Sequence, residues 1–186
     1  MNEVASLSED KPLVVENVKA VEKETEMELV APEAFEGVKA YEVKEDDLEQ
    51  LYSLAQEMVK FAHARNGVGL TLPQIGISKR AFVMLDKEDQ WNMMINPEYF
   101  GTGKKANVYE RSLSYEGVYW LPRYKKINAV YYTLDIKDDK LVLKKNYRMM
   151  SGLRAFVFQN LTDILDGKTG RTDGNYCKSE PKKIEE

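Results

Sequence analysis

Cysteine and histidine are nearly absent: the 186-residue chain has one of each, Cys177 and His63. A single cysteine excludes an internal disulfide, and nothing in the cysteine usage points to an oxidising compartment. One histidine with one cysteine also excludes the common zinc sites, which take three or four nitrogen or sulfur ligands. A metal site would have to be built mainly from carboxylates. No stretch approaches the roughly 20 consecutive apolar residues that a membrane-spanning helix needs. The start, Met1-Asn2-Glu3, leads into further acids and lacks the basic and apolar regions of a signal peptide, so the expected location is cytoplasmic. A Ser-His-Asp set is missing, because His63 is far in sequence from any candidate nucleophile. A phosphate loop is missing too: Gly67-Val68-Gly69 leads to a strand, not to a helix opened by Lys-Ser/Thr.

Charge is present but uneven. Residues 1–50 hold 15 acids and 5 lysines, net −10, while residues 51–186 hold 16 acids and 22 Lys/Arg, net +6, giving −4 overall. Two readings follow. Residues 1–37 are a solvated acidic arm beside a mildly basic body, or they fold over that body or compete with an acidic partner. The pairs Lys104-Lys105, Lys125-Lys126 and Lys144-Lys145 are short and separated. They read as solvated strand ends, so no specific nucleic-acid partner is expected.

The body has clear periodicity. Leu13-Val14-Val15 is the only strand-like piece of the arm, and Pro32 and Gly37 mark entry to the body. Leu48, Leu51, Tyr52, Ala55, Met58, Val59 and Ala62 recur at helical spacing, which predicts a helix over 46–65. Asp46 with Glu49 suggests a capping box, and Asn66-Gly67 suits a left-handed stop. His63 falls in the last turn, where the helix dipole favours a cation. A glycine-containing loop over 67–76 follows. Strands are expected at 80–85, 93–96, 107–114, 127–136 and 140–148, with Asp138-Asp139 as a hairpin turn. Leu153–Leu165 is apolar nearly all round, which predicts a centrally buried helix closed by Gly167. The polar tail from Lys168 is expected to be solvent-exposed and disordered. Without βαβ alternation, the fold class is α+β, a mostly antiparallel sheet around one buried helix over residues 38–167.

Three blocks then carry a resemblance. They are Gly67-Val68-Gly69-Leu70-Thr71-Leu72-Pro73-Gln74, Glu110-Arg111-Ser112-Leu113-Ser114, and Gln159-Asn160-Leu161-Thr162-Asp163-Ile164-Leu165-Asp166-Gly167. In order and spacing they resemble the G-x-G-L-A-A-x-Q, E-G-C-L-S and Q-H-E-x-D-H-x-x-G signatures of peptide deformylase. Ile95-Asn96-Pro97 resembles that family's I-N-P. The family uses iron or zinc to remove formyl groups from nascent polypeptide N-termini. The resemblance implies the deformylase fold, with Gly67, Gly69, Leu70, Glu110, Gln159 and Asp163 as the framework of the cleft.

The same resemblance implies a loss. The positions matching the family's metal ligands are Ser112, Asn160 and Ile164, and the position of the catalytic glutamate is Leu161. Isoleucine has no lone pair, a serine hydroxyl stays protonated near neutral pH, and one carboxamide oxygen is a poor match for iron or zinc. No cofactor is therefore expected. Gln74 and Leu113 match the residues that hold the reacting oxyanion in the family. Gln74 has a second reading, satisfaction of buried backbone. Asp163 is expected to pair with Arg80 or Arg123, and Glu110 to hold its loop through backbone hydrogen bonds. Substitute ligands would have to come from Glu116, Asp163, Asp166, His63 and Cys177.

The expected function is a catalytically inactive deformylase-like module. It would bind a protein or peptide partner, by strand addition in the cleft or as a subunit of a larger assembly docked through the acidic arm. A phage-encoded virion component fits the latter. The alternatives are an active deformylase with unorthodox ligands and a regulator of a true deformylase or of the ribosome. The oligomeric state is not legible.

Overall fold

The computed structural model describes residues 27–86 and 90–177. Helix α1 (Leu48–Ala64) precedes strands β1 (Gly69–Thr71), β2 (Ala81–Leu85), β3 (Trp91–Glu110), β4 (Tyr119–Lys137) and β5 (Lys140–Ser151). Helix α2 (Leu153–Leu165), a short helix α3 (Gly170–Asp173) and strand β6 (Asn175–Tyr176) complete the described chain. The strands form one antiparallel sheet in the order β1-β2-β3-β4-β5, with β6 added to β4. Among the described residues, no helix is long and apolar enough to cross a membrane.

The alternation of β2 shows how the two helices are placed. Ala81 and Val83 join the core under α1, with Met58, Phe61, Trp91 and Ile95. Phe82 and Met84 join the core under α2, with Met94, Ile127, Phe158 and Leu165. Side chains of a strand alternate between faces, so a strand covered on both sides reads as a continuous apolar run. Helix α2 touches β1 through β5 and is the central helix that the sequence predicts. Its burial is one-sided, however. Phe158 and Leu165 are fully buried while Leu153 is exposed at the first turn.

Local details correct several expectations. A 3-10 turn over Glu45–Asp47 precedes α1, and the residue that accepts there is Asp47, not Asp46. Its carboxylate takes the Lys44 backbone N–H at 2.8 Å and the Lys79 ammonium at 2.8 Å. Asn66 is left-handed with φ 55°, as the stop of α1 requires. Asp138 and Asp139 have φ 51° and 58°, the conformation of a two-residue hairpin turn whose twist matches its strands. The loop expected over 67–76 contains β1 and a 3-10 turn, Pro73–Ile75. The pieces expected at 93–96 and 107–114 fall on one strand, β3, which continues through two register shifts but ends at Glu110, so 111–114 is loop.

The described ends of the arm and tail are packed. Val30 donates to the Gln74 carbonyl at 3.0 Å, Gly37 to Gly167 at 2.7 Å, and Phe35 is buried. The tail expected to be disordered from Lys168 instead forms α3 and β6. Thr169 caps α3, its hydroxyl reaches Glu36 at 2.7 Å, and Cys177 donates its N–H to Val118 at 2.8 Å. Leu13-Val14-Val15 lies outside the described residues, as do 178–186.

Candidate active-site cleft

The three sequence blocks meet around one cleft of about 530 Å³. The first block supplies the α1–β1 link and β1, the second follows β3, and the third is α2. Two glycines let them approach. A Cβ on Gly67 would lie 2.9 Å from Leu113 Cδ1, and one on Gly69 would lie 2.5 Å from Leu161 Cδ1 and 3.2 Å from the Val83 carbonyl. Any larger residue would collide there. Leu70, also from the first block, is fully buried beneath them.

The frame of the cleft is polar and internally satisfied. Gln74 is buried, and its Oε1 accepts from the Thr71 N–H at 3.0 Å and the Thr71 hydroxyl at 3.1 Å. Its Nε2 donates to Ser114 Oγ at 3.0 Å and Ser112 Oγ at 3.4 Å. Gln74 thereby ties the first block to the second. Of its two readings, the geometry favours satisfaction of buried groups, because both ends of the amide are engaged. Gln159 does the same for the third block. It accepts from the Tyr124 N–H and donates to the Tyr124 carbonyl, both at 2.9 Å, which fastens α2 to β4.

An ionic cluster lies behind this frame. Arg123 grips Glu110 with two hydrogen bonds, at 2.6 and 3.0 Å, and donates through Nη1 to Asp163. Tyr99 donates to the other Asp163 oxygen at 3.0 Å, and Asn160 Nδ2 donates to Glu110 at 2.6 Å. Arg123 and Glu110 are both buried. Burial alone would pull the guanidinium down, but the hydrogen bonds and charges of Glu110 and Asp163 outweigh it and push Arg123 above its ordinary pKa. Burial pushes the Tyr99 phenol up, and the Asp163 carboxylate adds to the effect. Of the two partners offered for Asp163, the structure selects Arg123, while Arg80 pairs with Asp166 at 2.6 Å. Glu110 is held by side chains, not by the backbone hydrogen bonds that were expected.

The floor is different. Asn160 and Ile164 are four residues apart, and both line the cleft from α2, with Leu161 between them. Ser112 faces them across the cleft and accepts from the Ser114 N–H at 3.2 Å. Leu161 and Ile164 are buried. The Asn160 carboxamide N–H is already given to Glu110. One hydroxyl, one engaged carboxamide and two aliphatic chains do not fit iron or zinc, which call for thiolate, imidazole or carboxylate donors. The suggested substitutes are scattered: His63 and Glu116 are exposed, Asp163 and Asp166 are paired with arginines, and Cys177 follows β6. Among the described residues, no group of three or more His, Cys, Asp or Glu is placed to hold an ion.

No local spacing signals the Asn160–Glu110 contact, since 50 residues separate the two. Tyr99 and the apolar wall of Leu153, Phe156 and Val157 carry no such signal either. The wall's helical spacing reads as core packing.

Comparison with known proteins accords with this architecture. The family model for polypeptide deformylase matches residues 16–173. A peptide deformylase of Dictyoglomus thermophilum is 36% identical over 129 residues, spanning 69% of this chain and 79% of the relative. One from Synechococcus sp. is 33% identical over 125 residues, 64% of this chain, and the match spans 59% of that relative's length. The crystal structure of peptide deformylase from Thermotoga maritima superposes with a TM-score of 0.65 at 28% identity, covering 77% of this chain and 93% of that one. The framework in three blocks, the sheet clasping α2 and these matches together assign the chain to the polypeptide deformylase family.

Proposed function

We propose that this deformylase-family chain is a binding module that holds a peptide in the family cleft without hydrolysing it. The observation that carries this reading is the floor, where Ser112, Asn160, Leu161 and Ile164 stand where the resemblance expects two histidines, a cysteine and a glutamate. Hydrolysis of an amide needs a strong nucleophile and a proton shuttle. A water with no Lewis acid beside it keeps a pKa of about 15.7. Leucine at 161 cannot move a proton, a role typically worth about 10²–10⁴-fold. The frame keeps the features a peptide would use. The cleft has an apolar wall of Leu153, Phe156 and Val157, and Gly69 of edge strand β1 lines it. An edge strand accepts an extended chain by strand addition, and pockets beside it select side chains.

A second reading is favoured by the names of the relatives, all matched as peptide deformylases. In that reading the chain hydrolyses N-formyl-methionyl peptides with unorthodox metal ligands. The two readings separate when the full chain, prepared anaerobically with added iron or zinc, is given a formyl-methionyl tripeptide. The binding module shows saturable binding by calorimetry and releases no formate. Formate release that Ser112→Ala abolishes would establish the second reading. Absence of binding at millimolar peptide would remove the first.

A further inference from the structure

Along α2, Leu153, Phe156, Val157, Asn160, Leu161 and Ile164 all line the cleft. They recur three and four residues apart, the spacing of a single helix face. The stripe grades from Leu153, 71% exposed, through half-buried Phe156 and Val157 to buried Leu161 and Ile164. Val68, 45% exposed, lines the same cleft from the link between α1 and β1. Large apolar side chains left open beside a groove mark a place where another chain docks. A cleft of about 530 Å³ takes a few side chains rather than a whole protein face.

The charge of the lining is one-sided. Its charged residues are Arg65, Glu110 and Arg111. Glu110 is buried, and both of its oxygens are taken, by Arg123 and by Asn160. The lining therefore offers no carboxylate to a cationic ligand, and an ammonium brought onto the apolar floor would be buried without a partner. Arg65 caps the C-terminal end of α1, is exposed, and forms no ion pair with a described residue. Its guanidinium lies over the Phe61 ring, 3.5 Å from the centroid, and its Nη1 donates to the Phe61 carbonyl at 3.4 Å. Stacking on a ring orients the planar group. Its remaining N–H groups can hold a carboxylate through paired hydrogen bonds.

We infer that the cleft selects an acidic peptide segment of a separate protein, with apolar side chains on the α2 stripe and an Asp or Glu carboxylate on Arg65. The inference rests on the peptide-holding reading proposed above and names the class of peptide held. Arg65 supplies the charge preference, and the stripe supplies affinity that is indifferent to charge.

The test uses the full chain and three acetylated, amidated peptides, Ser-Leu-X-Leu-Ser, with Glu, Gln or Lys at X. Calorimetric titration at low salt should rank them Glu, then Gln, then Lys. An exposed arginine predicts a preference of about fivefold for Glu over Gln, which should narrow as salt rises. Arg65→Gln should abolish the preference and leave the affinity for the Gln peptide unchanged, which also shows that the variant is folded. Arg65→Glu should reverse the order of the Glu and Lys peptides, and Arg65→Lys should keep most of the preference. Equal binding of the three peptides to the unaltered chain overturns the inference and leaves the peptide-holding reading standing. So does a preference for Glu that survives Arg65→Gln. Binding of none of them at millimolar concentration removes that reading and the inference with it. A preference that emerges only after Glu9→Gln, Asp10→Asn and Glu16→Gln would make the chain's own acidic segment the occupant, and would overturn the assignment to a separate protein.

Discussion

The frame and the floor of the cleft are built from the same three sequence blocks, yet they obey different rules. In the frame, Gln74, Gln159, Glu110, Arg123 and Asp163 each find side-chain or backbone partners across 3 to 64 residues of sequence. Every one of these contacts joins one element to another, so removing a member leaves a buried group exposed to its full desolvation cost. In the floor, Leu161 and Ile164 fill space, while Asn160 donates to Glu110 and Ser112 accepts a long hydrogen bond from Gln74. The architecture therefore rests on the frame, and the proposed reading needs change only in the floor.

The strongest way to break this contrast is to remove the arginine that centres the frame. Arg123→Ala leaves Glu110 and Asp163 facing each other without their cation. Breaking a buried pair in this way typically costs about 3–5 kcal/mol, and denaturant unfolding should report a loss of that size. A loss under about 1 kcal/mol would mean the cluster is well solvated. Next, Gly69→Ala drives a methyl into Leu161 and the Val83 carbonyl, an overpacking expected to cost about 1–3 kcal/mol. Combining it with Leu161→Ala should recover part of the loss in a double-mutant cycle, since the two sites share one space.

Tyr99 sharpens the contrast through pH. Burial and the Asp163 charge hold its phenol protonated beyond about pH 10, where an unfolded tyrosine ionises. The unfolded chain then gives up a proton that the folded chain keeps. Stability is unaffected below that pH and falls as pH rises above it. Tyr99→Phe should cost about 1–2 kcal/mol at neutral pH, as loss of a hydrogen bond to a charged acceptor does. It should also flatten the alkaline decline in unfolding free energy. The smallest effect belongs to the floor. Ser112→Ala should change stability by less than about 1 kcal/mol, because Gln74 retains Ser114 as an acceptor.

Much of the fold was legible where pattern is local. Helix α2 was bounded correctly because Ser151-Gly152 and Gly167 bracket an apolar run, and Gly167 is left-handed with φ 77°. Strand β3 was split because Pro97, Gly101 and Gly103 interrupt its alternation, which the register shifts at 95–98 and 102–105 absorb. Strand β1 has three residues, too few to show a period. The tail was misread because α3 and β6 are polar. They are held by Tyr115, which accepts the Gly170 N–H at 3.0 Å, and by the Tyr119–Tyr176 ring contact. The Thr169-x-x-Thr172 cap was the one sequence signal of that packing. In the site, the three blocks gave the walls by resemblance. The contact of Asn160 with Glu110 and the pairing of Arg80 with Asp166 rest on long-range placement that no local spacing encodes.

The restored floor tests the same contrast from the other side. Ser112→Cys, Asn160→His, Leu161→Glu and Ile164→His together should regain binding of one divalent ion if the frame still has the family's shape. The most direct measurement is the metal stoichiometry of the unaltered full chain, purified anaerobically and equilibrated with iron, nickel or zinc. The account predicts no stoichiometric metal. One equivalent of bound metal that is lost on Ser112→Ala would contradict it.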